Sequence, residues 1–160
     1  ISENIKKKIN LKEYEIIFIN DFSNDKTEER LKFLSSQFKN IYFYNNLNKG
    51  LGGAIKLGLK KSLGKYITIL MADSADDIDD LNKYIEIMKK NEYDAIFGSR
   101  FIKGGKTINY PIIKLMMNRL ANNFIKVLFW YNFNDFTNSF KIYKKIMNIL
   151  LLILLKPLYY

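Results

Sequence analysis

Short apolar runs alternate with helical repeats along the first hundred residues, and this alternation restricts the fold more than any single motif. Residues 14–20 (Y-E-I-I-F-I-N) combine β-branched and aromatic residues with a polar end, as a buried strand does. Residues 25–38 predict a helix: Asp25 and Glu28 make a capping-box pattern, and Leu31, Leu34 and Phe38 share one face. A short strand at 41–44 follows, then a helix at 52–63 with Ile55, Leu59 and Leu63 in helical register and Gly64 as its stop. A strand at 66–71, a helix at 78–90 and a strand at 95–98 complete the series. Such repetition implies right-handed crossovers and an α/β fold, a mostly parallel sheet with helices on both faces. A helical segment at 1–11, carrying Ile5 and Ile9, has no strand before it. The pattern therefore starts in mid-repeat, and an upstream first strand is expected to be missing.

The length of 160 residues suits one domain, and a hydrophobic content of 48% supplies a core. Cysteine and histidine are both absent. Disulfides, zinc–thiolate sites, thiol nucleophiles, histidine bases and histidine-ligated metals are therefore excluded. Any metal must sit on oxygen ligands. The net charge of +10 favours phosphorylated substrates, anionic lipid or nucleic acid. A bias to Lys, Ile, Asn, Tyr and Phe together gives the charge a compositional origin as well. Neither a signal-peptide pattern nor an apolar run of the roughly 18–20 residues needed to span a membrane occurs. The chain is expected to be soluble or to lie on a surface.

In open α/β sheets ligands bind beyond the carboxyl ends of the strands. Three polar clusters fall there: Asn20-Asp21 with Ser23, the run M-A-D-S-A-D-D at 71–77, and Gly98-Ser99-Arg100. Carboxylates at a strand end suit Mg²⁺ or Mn²⁺ held against a diphosphate, or, more simply, cap the next helix. A carboxylate such as Asp21 accepts hydrogen bonds from a base or ribose, and Arg100 pairs bidentately with phosphate. Gly50-Leu51-Gly52-Gly53 lacks the dinucleotide-binding spacing, because residues 45–49 intervene after the strand and Ile55 holds the third glycine position. No P-loop is present. These glycines fit close helix packing under a phosphate-bearing ligand, with Lys49 nearby.

Beyond Arg100 the pattern changes. Lys103-Gly104-Gly105-Lys106 reads as a basic loop, and Pro111 opens a long helix to about residue 129. Phe124, Phe129, Trp130 and Tyr131, beside Lys114, Arg119 and Lys126, fit either core packing or a membrane interface. Residues 135–143 read as an irregular strand whose D-F-T-N-S-F-K is too polar for a core, and a last apolar helix is expected from 144 to 155.

The segments E-I-I-F-I-N-D-F-S-N-D-K-T (15–27), N-K-G-L-G-G-A-I-K-L-G (48–58), G-K-Y-I-T-I-L-M-A-D (64–73), A-I-F-G-S-R-F (95–101) and D-F-T-N-S-F-K-I-Y-K (135–144) occur in this order over nearly the whole chain. Together they resemble the family 2 glycosyltransferases, in particular the branch of polyprenyl-phosphate and dolichol-phosphate sugar transferases. The resemblance implies a GT-A fold, a UDP- or GDP-sugar donor, a divalent metal (Mg²⁺ or Mn²⁺), and a polyprenyl-phosphate or saccharide acceptor. It implies one partial catalytic domain over 1–160, with a nucleotide half (1–100) and an acceptor half (101–160). Asn20, Asp21, Ser23, Lys49, Gly50, Gly52, Ala72 and Asp73 then fall on the donor side. Asp73 matches the last aspartate of the metal motif D-x-D, where Met71 replaces the first, and Asp76 or Asp77 stand by as helpers. Arg100 matches the arginine near the phosphates, and Lys141 lies in the acceptor segment.

These matches imply a location at the cytoplasmic face of a membrane, and no nucleic-acid partner is expected, because carboxylates beyond the strand ends would repel phosphates unless a metal is bound. A phosphate acceptor is already largely ionised at neutral pH and needs no general base, whereas a sugar hydroxyl would need one, for which Asp135 is the candidate. Two other readings stand beside this one: a basic nucleic-acid-binding domain, and a non-catalytic module of the same fold.

Overall fold

The computed structural model describes residues 2–105, 110–130 and 132–145. Helix α1 (Ser2–Lys8) leads into strand β1 (Ile16–Asn20), helix α2 (Thr27–Gln37), strand β2 (Ile41–Asn45) and helix α3 (Leu51–Lys61). Strand β3 (Tyr66–Thr68), helix α4 (Ile78–Lys90), strand β4 (Ala95–Phe97), helix α5 (Ile112–Leu128) and strand β5 (Lys141–Lys144) follow. The α/β alternation read from the sequence is thus present.

The expected single, mostly parallel sheet is not. β1 and β2 pair in parallel, Ile16 opposite Ile41 through Asn20 opposite Asn45. β3, β5 and β4 form a second sheet in that order, with β5 antiparallel to both neighbours. After α5 the chain returns in the opposite direction and inserts between β3 and β4. The two sheets are joined by side chains rather than by a ladder. Ile5, Ile16, Ile41 and Ile78 make one buried cluster, and Leu81, Ile85, Met88, Phe140 and Ile142 make the other. Ile9 and Leu70 pack against both. α1 is clamped to α4 by Asn82, whose amide donates to the Lys8 carbonyl at 2.8 Å and accepts from the Asn10 N–H at 3.0 Å.

Several local expectations shift. The capping box at Asp25 and Glu28 does not form: Asp25 accepts from the Thr27 N–H at 2.9 Å in a turn, and Glu28 pairs with Lys32 at 2.7 Å. α3 ends at Lys61, before Gly64. Its exit is held instead by the Glu15 carboxylate, which accepts from the N–H groups of Leu63 and Gly64 at 2.6 and 2.8 Å. Leu63, expected on the core face, is therefore exposed. The strand expected at 66–71 closes at Thr68, and that expected at 135–143 is regular only from Lys141. Lys144 belongs to β5. The part of the expected helix from 146 to 155, together with Lys106 and Tyr131, lies outside the described residues. α4 matches its expected bounds, since Asp77 caps it by accepting from the Asp79 N–H.

Candidate functional site

β1 and β2 end side by side in asparagines, and the Asn20 amide donates to Asn45 Oδ1 at 2.9 Å. The chain then turns at Asp21. Its Oδ1 accepts from the Asn46 amide at 2.8 Å and from the Gly50 N–H at 2.9 Å. These bonds, the Gly50 N–H foremost, hold the Asp21 carboxyl below its ordinary range, with Lys49 adding in the same direction. Buried Asn46 also donates to the carbonyls of Asn48 and Gly50, so one side chain shapes the loop leading into α3. Gly50 sits at φ 110°, a conformation open to glycine alone. Gly53 has no room for a Cβ because the Asn48 carbonyl lies against it, whereas Gly52 faces open space. Ser23 turns back through its N–H to Asn20 Oδ1.

The second cluster follows β3. Asp73 is exposed, and its Oδ1 accepts from the Ala75 N–H at 3.0 Å. Asp76 is half-buried and accepts from the Met71 N–H. Burial, followed by the neighbouring Asp73 charge, raises the Asp76 carboxyl above its ordinary range, and Arg100 works against this. Asp77, expected as a helper, caps α4 and lies 4.0 Å from the Lys8 ammonium. A hollow between α1 and this loop is lined by Asn4, Lys8 and residues 74–78. Ala72 is exposed beside Asp73. The residues directly after both rim aspartates, Phe22 (φ 57°) and Ser74 (φ 60°), are left-handed without being glycine. Such backbone costs about 1–2 kcal/mol per residue and collects at functional turns.

The third cluster joins β4 to the segment before β5. Arg100 closes a fork on Asp135: Nη2 donates to Oδ1 at 2.7 Å, Nε to Oδ2 at 2.9 Å, and the Arg100 backbone N–H to Oδ2 at 2.9 Å. Asp135 is 0% exposed. Both oxygens of the residue considered above as a base thus accept from an arginine. Hydrogen bonding to Asp135 raises the already high Arg100 pKa, so the guanidinium stays charged. Thr137 Oγ1 accepts from the amides of Asn118 at 2.7 Å and Asn122 at 3.2 Å, which ties α5 to this pair. Ser99 Oγ donates to Asn134 Oδ1 at 2.6 Å, and the Asn138 amide donates to the Gly98 carbonyl at 2.9 Å. Lys141 Nζ donates to the Phe136 carbonyl at 3.0 Å and lies over the Phe97 ring. Burial lowers its pKa, partly offset by the Asp135 charge.

All three clusters lie where the sequence placed them, beyond strand ends. Asp73, Asp76 and Arg100 are electrostatic neighbours. Among the described residues, no hydrogen bond or ion pair joins Asp21 to them. No group of three or more acidic ligands occurs among the described residues. The donor set is one exposed carboxylate, Asp73, with half-buried Asp76 near it. That fits Mg²⁺ or Mn²⁺, which takes one or two protein carboxylates and leaves the remaining positions to phosphate oxygens and water. Sequence reasoning passed over Asn46, Asn118, Asn122 and Asn134. Asn118 and Asn122 sit one turn apart in an apolar helix, and that spacing was the available clue.

A sequence profile of glycosyl transferase family 2 matches residues 2–150. The chain belongs to this family. Over 108 residues it is 33% identical to a dolichol-phosphate mannosyltransferase of Pyrococcus furiosus, covering 68% of this chain and 30% of that protein. It is 37% identical over 92 residues to a dolichyl-phosphate beta-glucosyltransferase of Trichomonas vaginalis, covering 54% and 28%. It is 38% identical over 104 residues to the dolichyl-phosphate beta-glucosyltransferase of Dictyostelium discoideum, covering 61% and 32%. The aligned part thus spans about a third of the length of these family 2 relatives.

Proposed function

We propose that the protein transfers a sugar, with inversion, from a nucleotide-diphospho-sugar to a polyprenyl phosphate at the cytoplasmic face of a membrane. The domain has a GT-A layout, with residues 1–100 as its nucleotide half and 101–160 as its acceptor half. The observation that carries this reading is the loop at 71–77, whose half-buried carboxylate Asp76 feels the charge of an arginine fixed just beyond the end of β4. The names of the family 2 relatives support the acceptor class.

Asp21 and Asn20 would meet the base or ribose of a UDP- or GDP-sugar, with Ser23, Lys49, Gly50, Gly52 and Ala72 lining the donor side. Asp73, assisted by Asp76, would hold Mg²⁺ or Mn²⁺. When bound, such an ion neutralises charge developing on the departing diphosphate. Arg100 would orient a phosphate, because Asp135 fixes its guanidinium plane from behind. Lys141 would stand on the acceptor side. Asp135 is a positioning residue here and not a base, since its oxygens are already committed. A phosphate acceptor, with a second pKa of about 6, needs no base. A saccharide hydroxyl would need one, so the phosphate acceptor is the better match.

The test is transfer of labelled glucose or mannose from UDP-glucose or GDP-mannose to a polyprenyl phosphate, with a free oligosaccharide as the alternative acceptor. Labelled lipid that disappears in Asp73→Ala is expected. Labelled oligosaccharide instead would refute the acceptor class, and nucleotide binding without any transfer would favour a non-catalytic module.

A further inference from the structure

Helix α5 brings two asparagines, one turn apart, against the segment that carries Asp135. Asn122 is 1% exposed. Its amide nitrogen faces three acceptors: the Asn118 carbonyl at 2.9 Å, Asn118 Oδ1 at 2.8 Å and Thr137 Oγ1 at 3.2 Å. These fix which way the amide points, because a flip would set its oxygen against the two oxygens of Asn118. The Asn122 Oδ1 on the other side is buried and, among the described residues, has no hydrogen-bond partner. An orphan acceptor in a buried place opposes folding. Leucine, of similar size, would fill the site without that cost, so packing alone does not account for an asparagine here.

We propose that Asn118, Asn122 and Thr137 are positioning residues that set the plane of the Arg100 guanidinium through Asp135. Thr137 Oγ1 accepts from the Asn118 amide at 2.7 Å and from that of Asn122, which fills both its lone pairs. Its one hydrogen is left for Asp135 Oδ1, 3.5 Å away. Asn122 acts twice, since it also steadies the Asn118 amide through Oδ1. The Arg100 backbone N–H holds Asp135 Oδ2 at 2.9 Å. The carboxylate is thus tied at both oxygens by groups other than the guanidinium, and a carboxylate of fixed plane fixes the fork that grips it. The backbone of the arginine turn is held separately. The Asn138 amide donates to the Gly98 carbonyl, Ser99 Oγ to Asn134 Oδ1, and the Asn134 amide to the Phe101 carbonyl at 3.2 Å. Loss of the Thr137 hydroxyl therefore leaves the turn in place and frees the side-chain pair to swing. Any effect on transfer rests on the reading of Arg100 as a phosphate ligand, but the positioning itself is measured with no ligand present.

The arginines of the chain are Arg30, Arg100 and Arg119, so guanidinium NMR signals of the labelled 160-residue protein are readily assigned. A guanidinium held in a fork turns slowly about its C–N bonds and shows separate Nη signals. Wild type and Thr137→Ser, which keeps the hydroxyl, are expected to show them for Arg100. Thr137→Val and Asn122→Leu should merge them, with a melting temperature unchanged in the first and equal or higher in the second. Titration with inorganic phosphate, followed at Arg100 Nε, should be about tenfold weaker in both of these variants and restored in Thr137→Ser. Four results would overturn the proposal: rapid rotation of Arg100 in the wild type, an unchanged fork in both Thr137→Val and Asn122→Leu, a merged signal in Thr137→Ser, or loss of cooperative folding in Asn122→Leu, which would give the amide a purely structural role. Slow rotation lost in the variants, without phosphate binding even in the wild type, would uphold the positioning and count against the phosphate reading of Arg100 alone.

Discussion

At the residue scale the Arg100–Asp135 pair is the most constrained part of the site. Removing one partner of a buried pair leaves an uncompensated charge, at a cost of about 3 kcal/mol. Asp135→Asn is therefore expected to lower unfolding stability in urea by about that amount. Asp135→Asn with Arg100→Met should recover part of it, and a single variant as stable as the wild type would contradict this arrangement. Asp76 behaves in the opposite way. Its carboxyl is raised in the folded state, chiefly by burial, so ionising it opposes folding. Asp76→Asn should therefore melt higher than the wild type at neutral pH. The difference should shrink as the pH falls through the folded pKa and vanish below the unfolded one, near 3.8. A gain that grows on acidification would reverse the assignment. The rim residues Asp21, Asp73 and Arg100 were legible because charged groups after apolar strands are conspicuous. Asn46 and Asn122 were not, because an asparagine's importance lies in its buried partners and not in its type.

At the element scale, periodicity located most helices and strands, while their ends depended on contacts the sequence does not display. α4 kept its expected bounds because its cap, Asp77, is local. α3 did not, because its exit is held by Glu15, 48 residues upstream of Leu63. The direction of β5 was illegible for the same reason: its pairing with β3 and β4 is entirely non-local. The entrance to α3 yields a graded test. Gly50→Ala would force a side chain to φ 110°, and Gly53→Ala would drive a Cβ into the Asn48 carbonyl. Each should cost about 1–3 kcal/mol. Gly52→Ala meets open space within a helix and should be neutral or stabilising by up to about 1 kcal/mol. Chemical denaturation of the three variants checks the order, and an equal effect at all three positions would contradict the loop geometry.

At the scale of the whole molecule, two small sheets share a side-chain core, and three polar clusters stand beyond their strand ends. The sequence placed the clusters through the general behaviour of α/β folds. It did not foresee the split into two sheets, which depends on where β5 inserts. The account rests on these clusters binding a nucleotide diphosphate with a divalent cation. The most direct measurement is thermal unfolding with UDP or GDP, with and without Mn²⁺, on the wild type and Asp73→Ala. A ligand at a hundred times its Kd stabilises the folded state by about 2.7 kcal/mol, a rise of several degrees in Tm for a chain of this size. The account expects that rise with one nucleotide and Mn²⁺ together in the wild type, and its loss in Asp73→Ala. An unchanged cooperative melt with every combination, or an equal rise in both proteins, would contradict it.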